Sequence, residues 1–366
     1  MYQRVSARCY TVEKSISRVA LVLKYKWMKT IQIGNVEVGG NHTFVIAEIG
    51  SNHNQSLDLA YETIDAAVEA GADAVKFQSI LIDKLYYDPS PTTVELHKRI
   101  DMDEAWHYQL KDYCDKKDII FFSSPTYISS IKILEEMNVQ LHKLASAQIG
   151  TFPQLVEEVA RLNKPTILST GMVSFAELEK NIQIFKRHNN DQYIILHCNS
   201  IYPTPYERVN LHMVETYRQM FGCITGFSDH TLDIYIPIAA VARGAKVIEK
   251  HFSISRQLPV PDAPFSLEPE EFKKMVEGIR ATEKALAEDH RTYLQPEEKQ
   301  FKEAILSRLV LKHPKKTGEL FSRDDFEFLR HPSGVDCRDL DHILRTNKKA
   351  AQDLDTNTLL SWDMIK

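Results

Sequence analysis

Two histidines stand at the ends of consecutive apolar runs: His230 in GFSDHT at 226–231 and His251 in VIEKHF at 247–252. Where parallel strands close into a barrel such ends converge. Two neutral imidazoles meeting there can hold a divalent metal and leave coordination positions open for a substrate. On spacing alone the bland alternative is stronger, because a strand-end histidine is more often a satisfied hydrogen-bonding residue than a ligand. The pattern, however, repeats along the chain. Glu48 closes an apolar run in AEIGSNHN, Lys76 and Gln78 close one in VKFQ, Ser123 and Ser124 in SSPT, and Lys143 and Ser146 in KLAS. Ser169, Thr170 and Gly171 end LSTG, Ser200 and Tyr202 follow in HCNSIYPTP, Ser228 and Asp229 precede His230, and Glu249 and Lys250 precede His251. Lysines supply point charges for phosphate or carboxylate, and hydroxyls with helix-start amides complete an anion cradle. A buried lysine flanked by another cation could instead form a Schiff base, which leaves Lys76 and Lys143 open to carbonyl chemistry.

The elements that must carry these residues are short and apolar: FVIAEI (44–49), AVKFQ (74–78), IIFFSS (119–124), LHKLAS (141–146), TILSTG (166–171), YIILHC (193–198), ITGFSD (224–229) and VIEKHF (247–252). Segments of helical period separate them. Strands alternating with amphipathic helices predict parallel pairing through right-handed crossovers, and eight such units predict a TIM (β/α)8 barrel, whose active site lies at the C-terminal ends of its strands. Ser129 and Ser174 read as helix N-caps, and Ser174 with Glu177 matches a capping box. His53 adjoins the expected mouth, whereas His97, His107 and His142, with most other histidines, read mainly as surface residues. Beyond the eighth unit the chain turns polar, then becomes a small β-rich module. The expected boundaries are an N-terminal extension of doubtful function at 1–27, a barrel domain at 28–290, a linker at 291–304 and the module at 305–366.

Composition narrows the partners. The 366 residues are 43% hydrophobic and 26% charged with a net charge of −5, and the signs are interspersed. No basic stripe exists to meet nucleic-acid phosphates. Five scattered cysteines without a CxxC pair fit reduced thiols in a cytoplasm. Residues 1–27 carry six Lys/Arg against one acid, but their apolar piece VALVL is too short for a secretory core or a membrane span. Met28 opens MKTIQIGNVEVGG like a natural start. Neither nucleic acid nor membrane is expected as a partner.

Taken in order, EIGSNHN, VKFQ, SSPT, KLAS, LSTGM, HCNSIYPTP, GFSDHT and IEKHF closely resemble the sialic acid (N-acetylneuraminate) synthase family, phosphoenolpyruvate-condensing TIM barrels. The resemblance spans about 28–366, with the C-terminal module similar to the antifreeze-like SAF domain of these enzymes. It implies a domain-swapped homodimer condensing phosphoenolpyruvate with an N-acetylated hexosamine. It further implies that His230 and His251 bind Mn2+ or Mg2+, and that Lys76, Ser124, Lys143, Ser146, Ser200 and Ser228 hold phosphoenolpyruvate. Glu48, Gln78, Gln148, Tyr202, Asp262 and, from the SAF domain, Arg330 would contact the sugar. Glu48, Lys76 and the two histidines would carry catalysis, the metal polarising the open-chain aldehyde while Glu48 moves protons.

Three positions depart from the family pattern. Gln148 stands where the family has an acid, Ser200 replaces an asparagine, and Arg330 in LRHPSG falls one place early with His331 in register. These departures favour a modified acceptor, such as a 2,4-diacetamido-trideoxyhexose, beside N-acetylmannosamine. The alternatives are another phosphoenolpyruvate aldol synthase with a sugar-phosphate acceptor, and a non-catalytic binding protein that displays the SAF module.

Overall fold

All eight expected runs are strands in the computed structural model, which describes residues 29–286 and 294–366. The expected extension at 1–27 lies outside the described residues. The chain divides into two compact units, Met1–Asp289 and His290–Lys366. In the first, a hairpin of β1 (Ile31–Ile33) and β2 (Val36–Val38) precedes β3 (Phe44–Gly50), β4 (Ala74–Ser79), β5 (Ile120–Pro125) and β6 (His142–Leu144). Then follow β7 (Thr166–Ser169), β8 (Tyr193–Cys198), β9 (Ile224–Asp229) and β10 (Val247–His251). The sheet runs β5-β4-β3-β10-β9-β8-β7-β6 with every ladder parallel, and β5 and β6 adjoin to bring it round into a barrel. This is the TIM-barrel order.

Strand residues alternate between the two faces of the sheet. One set, including Phe44, Ile46, Ala74, Phe122, Leu141, Ile167, Leu196 and Val247, clusters inside the barrel, and Ile31, Ile33 and Val38 of the hairpin pack onto it. The other set, including Val45, Ala47, Val75, Phe77 and Phe121, packs against helices such as Leu57–Glu69 and Pro269–Leu286. The helix Phe175–Arg187 starts with the expected capping box, Glu177 N donating to Ser174 Oγ at 3.3 Å and Ser174 N to Glu177 Oε2 at 2.8 Å.

Other expectations need correction. Ser129 is no cap: the helix Ile128–Glu136 begins one residue earlier, after Tyr127, so Ser129 already lies in its first turn. Residues 82–100 hold two helices that no apolar stripe announced, Ile82–Leu85 and Pro91–Ile100. The second starts from Ser90, which accepts from Thr93 N at 3.2 Å, with Pro91 at the first helical position. His97, His107 and His142 are buried rather than superficial, because each finds a polar partner: Asp101 at 2.5 Å, Ser79 at 2.8 Å and Glu135 at 2.8 Å.

In the second unit β11 (Ser307–Leu311) pairs antiparallel with β12 (Phe326–Arg330) over a core that includes Leu309, Leu311, Phe321, Phe326, Val335 and Leu360. The stretch expected as a linker contains a helix, Pro296–Ala304, with no buried residue. Cys114, Cys198, Cys223 and Cys337 are free thiols. Among the described residues no helix is long and apolar enough to cross a membrane.

Candidate active site at the barrel mouth

The barrel interior changes character over a single pleat. Two residues beyond Ile46, Ala74, Phe122, Leu141, Ile167, Leu196 and Val247 on the same strand face stand Glu48, Lys76, Ser124, Lys143, Ser169, Cys198 and Glu249. They open into a cavity of about 710 Å³, which Gln78, Ser146, Gln148, Ser200, Tyr202, Ser228, His230 and His251 also line. Apart from Asp262 and Arg330, every residue expected at the site is in this wall. Asp262 lies in an adjoining pocket shared with Gln78, Tyr202 and His251, and accepts from Ser51 Oγ at 3.0 Å. Arg330 is in the second unit, at the exposed end of β12.

Glu249 is the hub of the charged groups. Its Oε1 lies 3.5 Å from Lys76 Nζ and 3.4 Å from Lys143 Nζ, and accepts from Ser228 Oγ at 3.1 Å. Its Oε2 is buried without a hydrogen-bond partner. Lys76 Nζ is also 2.8 Å from Glu48 Oε2 and donates to Ser124 Oγ at 3.4 Å, while Gln78 Nε2 donates to Glu48 Oε1 at 2.6 Å. Burial opposes ionisation of Glu249, but Lys143 and Lys76 outweigh it and hold the carboxyl down at about 2. For Glu48 burial wins over the attraction of Lys76, and the nearby Glu249 adds to it, so the carboxyl is pushed up to about 7. The two carboxylates thus diverge: Glu249 carries the charge and Glu48 keeps a proton available near neutrality. Burial lowers Lys143, whereas the two glutamates overcome burial and raise Lys76.

The histidines sit beside this cradle with ring centroids 5.4 Å apart. His230 Nδ1 lies 2.7 Å from the Asn199 carbonyl oxygen, so it donates there and turns the Nε2 lone pair outward. His251 Nδ1 is buried with no hydrogen-bond partner, 4.0 Å from Asp262 Oδ2. Burial lowers the His251 pKa against the pull of Asp262, which favours the neutral, ligand-competent ring. Tyr202 lies against His230 with centroids 4.2 Å apart, and Phe265 meets His251 edge-on at 4.9 Å. No cluster of three His, Cys, Asp or Glu side chains suited to a metal occurs among the described residues. Two imidazoles, one with an orphaned buried nitrogen, therefore fit a cation that takes its other ligands from water or substrate.

Two glycines make room for this arrangement. Gly50 has a φ of +53°, and a Cβ there would stand 2.7 Å from Asp262 Oδ2 and 3.2 Å from Glu48 Oε1. At Gly171 a Cβ would meet Ser200 Oγ at 2.4 Å, and its amide instead donates to Ser146 Oγ at 2.9 Å. Gln148, on the short helix Ser146–Thr151, presents a buried Oε1 without a partner. The central position of Glu249 was missed, although its place two residues before His251 on the same strand face was a signal. The apolar wall of Ile80, Leu85, Tyr86, Leu96 and Ile100 was missed with the two helices that carry Leu85, Leu96 and Ile100.

An eight-stranded parallel barrel with lysines, hydroxyls and paired carboxylates at the C-terminal mouth defines a TIM-barrel enzyme that takes an anionic small molecule. Residues 63–291 match the NeuB family, and the chain belongs to that family. It is 34% identical to the pseudaminic acid synthase of Campylobacter jejuni (strain 81-176) over 339 residues, covering 89% of this chain and 97% of that one. With the N,N'-diacetyllegionaminic acid synthase of Campylobacter jejuni (strain NCTC 11168) the identity is 33% over 317 residues, covering 82% and 94%. The crystal structure of N-acetylneuraminic acid (sialic acid) synthetase from Leptospira borgpetersenii in complex with citrate is similar at TM-score 0.70 and 34% identity. That match covers 75% of this chain and 95% of the other. The protein is an enzyme of the sialic acid synthase type.

Proposed function

We propose that the mouth condenses phosphoenolpyruvate with an N-acetylated hexosamine, either N-acetylmannosamine or a 2,4-diacetamido-trideoxyhexose, to give a nonulosonic acid and phosphate. The observation that carries this reading is the grouping of Lys76, Lys143 and Glu249 beside a glutamate whose pKa is near 7 and a histidine nitrogen without a partner.

Lys76 and Lys143, with Ser124, Ser146, Ser200 and Ser228, hold the phosphate and carboxylate of phosphoenolpyruvate. Glu249 keeps both ammonium groups turned into the cavity. Gln78, Gln148, Tyr202 and Asp262 orient the open-chain sugar, so that C3 of phosphoenolpyruvate meets the aldehyde carbon. Glu48, close to half protonated at neutral pH, supplies the proton that the aldehyde oxygen gains as the C–C bond forms. Water then adds at C2, and the tetrahedral carbon expels phosphate by C–O cleavage. His230 and His251 would hold Mn2+ or Mg2+, which when bound supplies Lewis-acid activation of the aldehyde. The Schiff-base use of Lys76 loses ground, because two carboxylates hold its ammonium charged.

The second unit reads as an SAF domain that covers the mouth of a partner copy in a swapped homodimer, bringing Arg330 to the sugar. The motif resemblance supports this, and sedimentation equilibrium of full-length protein tests the dimer. Cytoplasmic residence accords with the free thiols.

Phosphate release tests the proposed reaction. It is expected only when phosphoenolpyruvate, divalent metal and an N-acetylated hexosamine are all present. Release with erythrose or arabinose phosphate instead would move the chain to the sugar-phosphate synthases.

A further inference from the structure

One buried ion pair takes no part in the chemistry above. Lys250 and Asp229 are partners in register across β10 and β9, and both side chains are wholly buried. The preceding pair in the same register, Glu249 and Ser228, points into the cavity, so period-two alternation puts Lys250 and Asp229 on the opposite face of the sheet. Lys250 Nζ lies 2.6 Å from Asp229 Oδ2 and also donates to the carbonyl of Thr231. Asp229 in turn accepts from Thr231 N at 3.0 Å through Oδ1 and from Thr231 Oγ1 at 2.9 Å through Oδ2.

These four contacts close on both sides of His230, and Lys250 is the immediate neighbour of His251. A fully buried charge pair is an expensive way to hold two strands together, since well-packed apolar residues do so equally well. What apolar residues cannot do is fix the turn 229–231 by directed bonds to its amide, hydroxyl and carbonyl.

We infer that Lys250 and Asp229 are positioning residues that set the spacing and aim of the two imidazoles, acting from the far face of the sheet. The inference rests on reading His230 and His251 as the metal pair. It assigns a role to the D of GFSDHT and the K of VIEKHF, neither of which reaches the cavity.

The test is the double variant Asp229→Leu/Lys250→Met, which removes both charges together and leaves none unpaired. Thermal melting, Mn2+ affinity by titration calorimetry and steady-state kinetics are measured on the full-length protein. The expected result is a moderately lower melting temperature, since the buried amide, hydroxyl and carbonyl of Thr231 lose their partners, and in the folded protein a Mn2+ affinity lowered about tenfold or more, the range seen when groups behind metal ligands are removed. The kcat should fall with it, while KM for phosphoenolpyruvate stays within about twofold because the cradle keeps its own contacts. A double variant that binds Mn2+ and turns over like the parent overturns the inference and leaves the pair a purely structural one.

If that variant does not fold, Thr231→Val serves instead, because it removes a single hydroxyl contact. A several-fold fall in Mn2+ affinity at unchanged melting supports the inference, and unchanged affinity overturns it. A parent protein that binds no Mn2+, with His251→Ala indistinguishable from it, defeats the metal reading itself and the positioning role with it.

Discussion

The two ends of the barrel interior are one pleat apart and do opposite work. Toward the strand starts it is filled by Phe44, Ile46, Ala74, Phe122, Leu141, Ile194 and Val247, closed over by Ile31, Ile33 and Val38. Two residues further along the same strands the same face presents Glu48, Lys76, Lys143 and Glu249, all at most 5% exposed, and among them Glu249 Oε2 lacks a hydrogen-bond partner. The lower end gains from burial, at roughly 25 cal/mol per Å² of apolar surface removed from water. The upper end loses, because charges taken out of water are repaid only by one another. A dry floor lets the barrel tolerate a mouth whose buried charges are repaid mainly by one another.

The division can be broken from either end. The largest effect is expected at the mouth: His251→Ala should lower turnover by about 10³-fold, the several kcal/mol that an activating cation contributes, with no change in melting. Kinetics and calorimetry of the same preparation check both halves. At the floor, Phe122→Ala should cost about 3–5 kcal/mol in denaturant unfolding, since it empties a fully buried site, and leave kcat per folded molecule unaltered. Smaller again is Lys143→Met, which removes a charge-assisted contact of about 1.5–3 kcal/mol and should raise KM for phosphoenolpyruvate some tenfold to a hundredfold. It should not lower stability, because Glu249 retains Lys76.

The smallest effect is a pH dependence. Burial holds His53 down at about 4, against the opposing pull of Asp262, and its ring meets Trp106 edge-on. The folded chain refuses a proton that the unfolded chain accepts near 6.5, so this stability is complete above that pH and is lost as pH falls towards 4. By about pH 5.5 the loss is roughly 1 kcal/mol, and His53→Asn should remove that part of the acid sensitivity in pH-resolved melts.

The strands were legible because a barrel interior demands apolar runs of near-constant length, and the site because reactive residue types end those runs. Lys76, Lys143, Ser228, His230 and His251 all converge where strand order places them. What escaped depended on other physics. The hairpin strands are three residues each, too short for alternation to register. The helix Pro91–Ile100 offers only Ser90-Pro91 as a start signal and buries a single residue, His97. The hub role of Glu249 arises from lysines on β4 and β6, neither adjacent to β10, and only three-dimensional closure brings them within 3.5 Å of it. The burial of His107 and His142 followed the same rule, since the partners that make it tolerable lie 28 and 7 residues away.

Mass spectrometry of the product is the sharpest test of the proposed condensation. The full-length protein is incubated with phosphoenolpyruvate, Mn2+ and, separately, N-acetylmannosamine and the 2,4-diacetamido-trideoxyhexoses. A nine-carbon 2-keto acid, formed in equal amount with inorganic phosphate, is expected from at least one acceptor. Phosphoenolpyruvate left unconsumed with every one of these acceptors would contradict the proposed condensation.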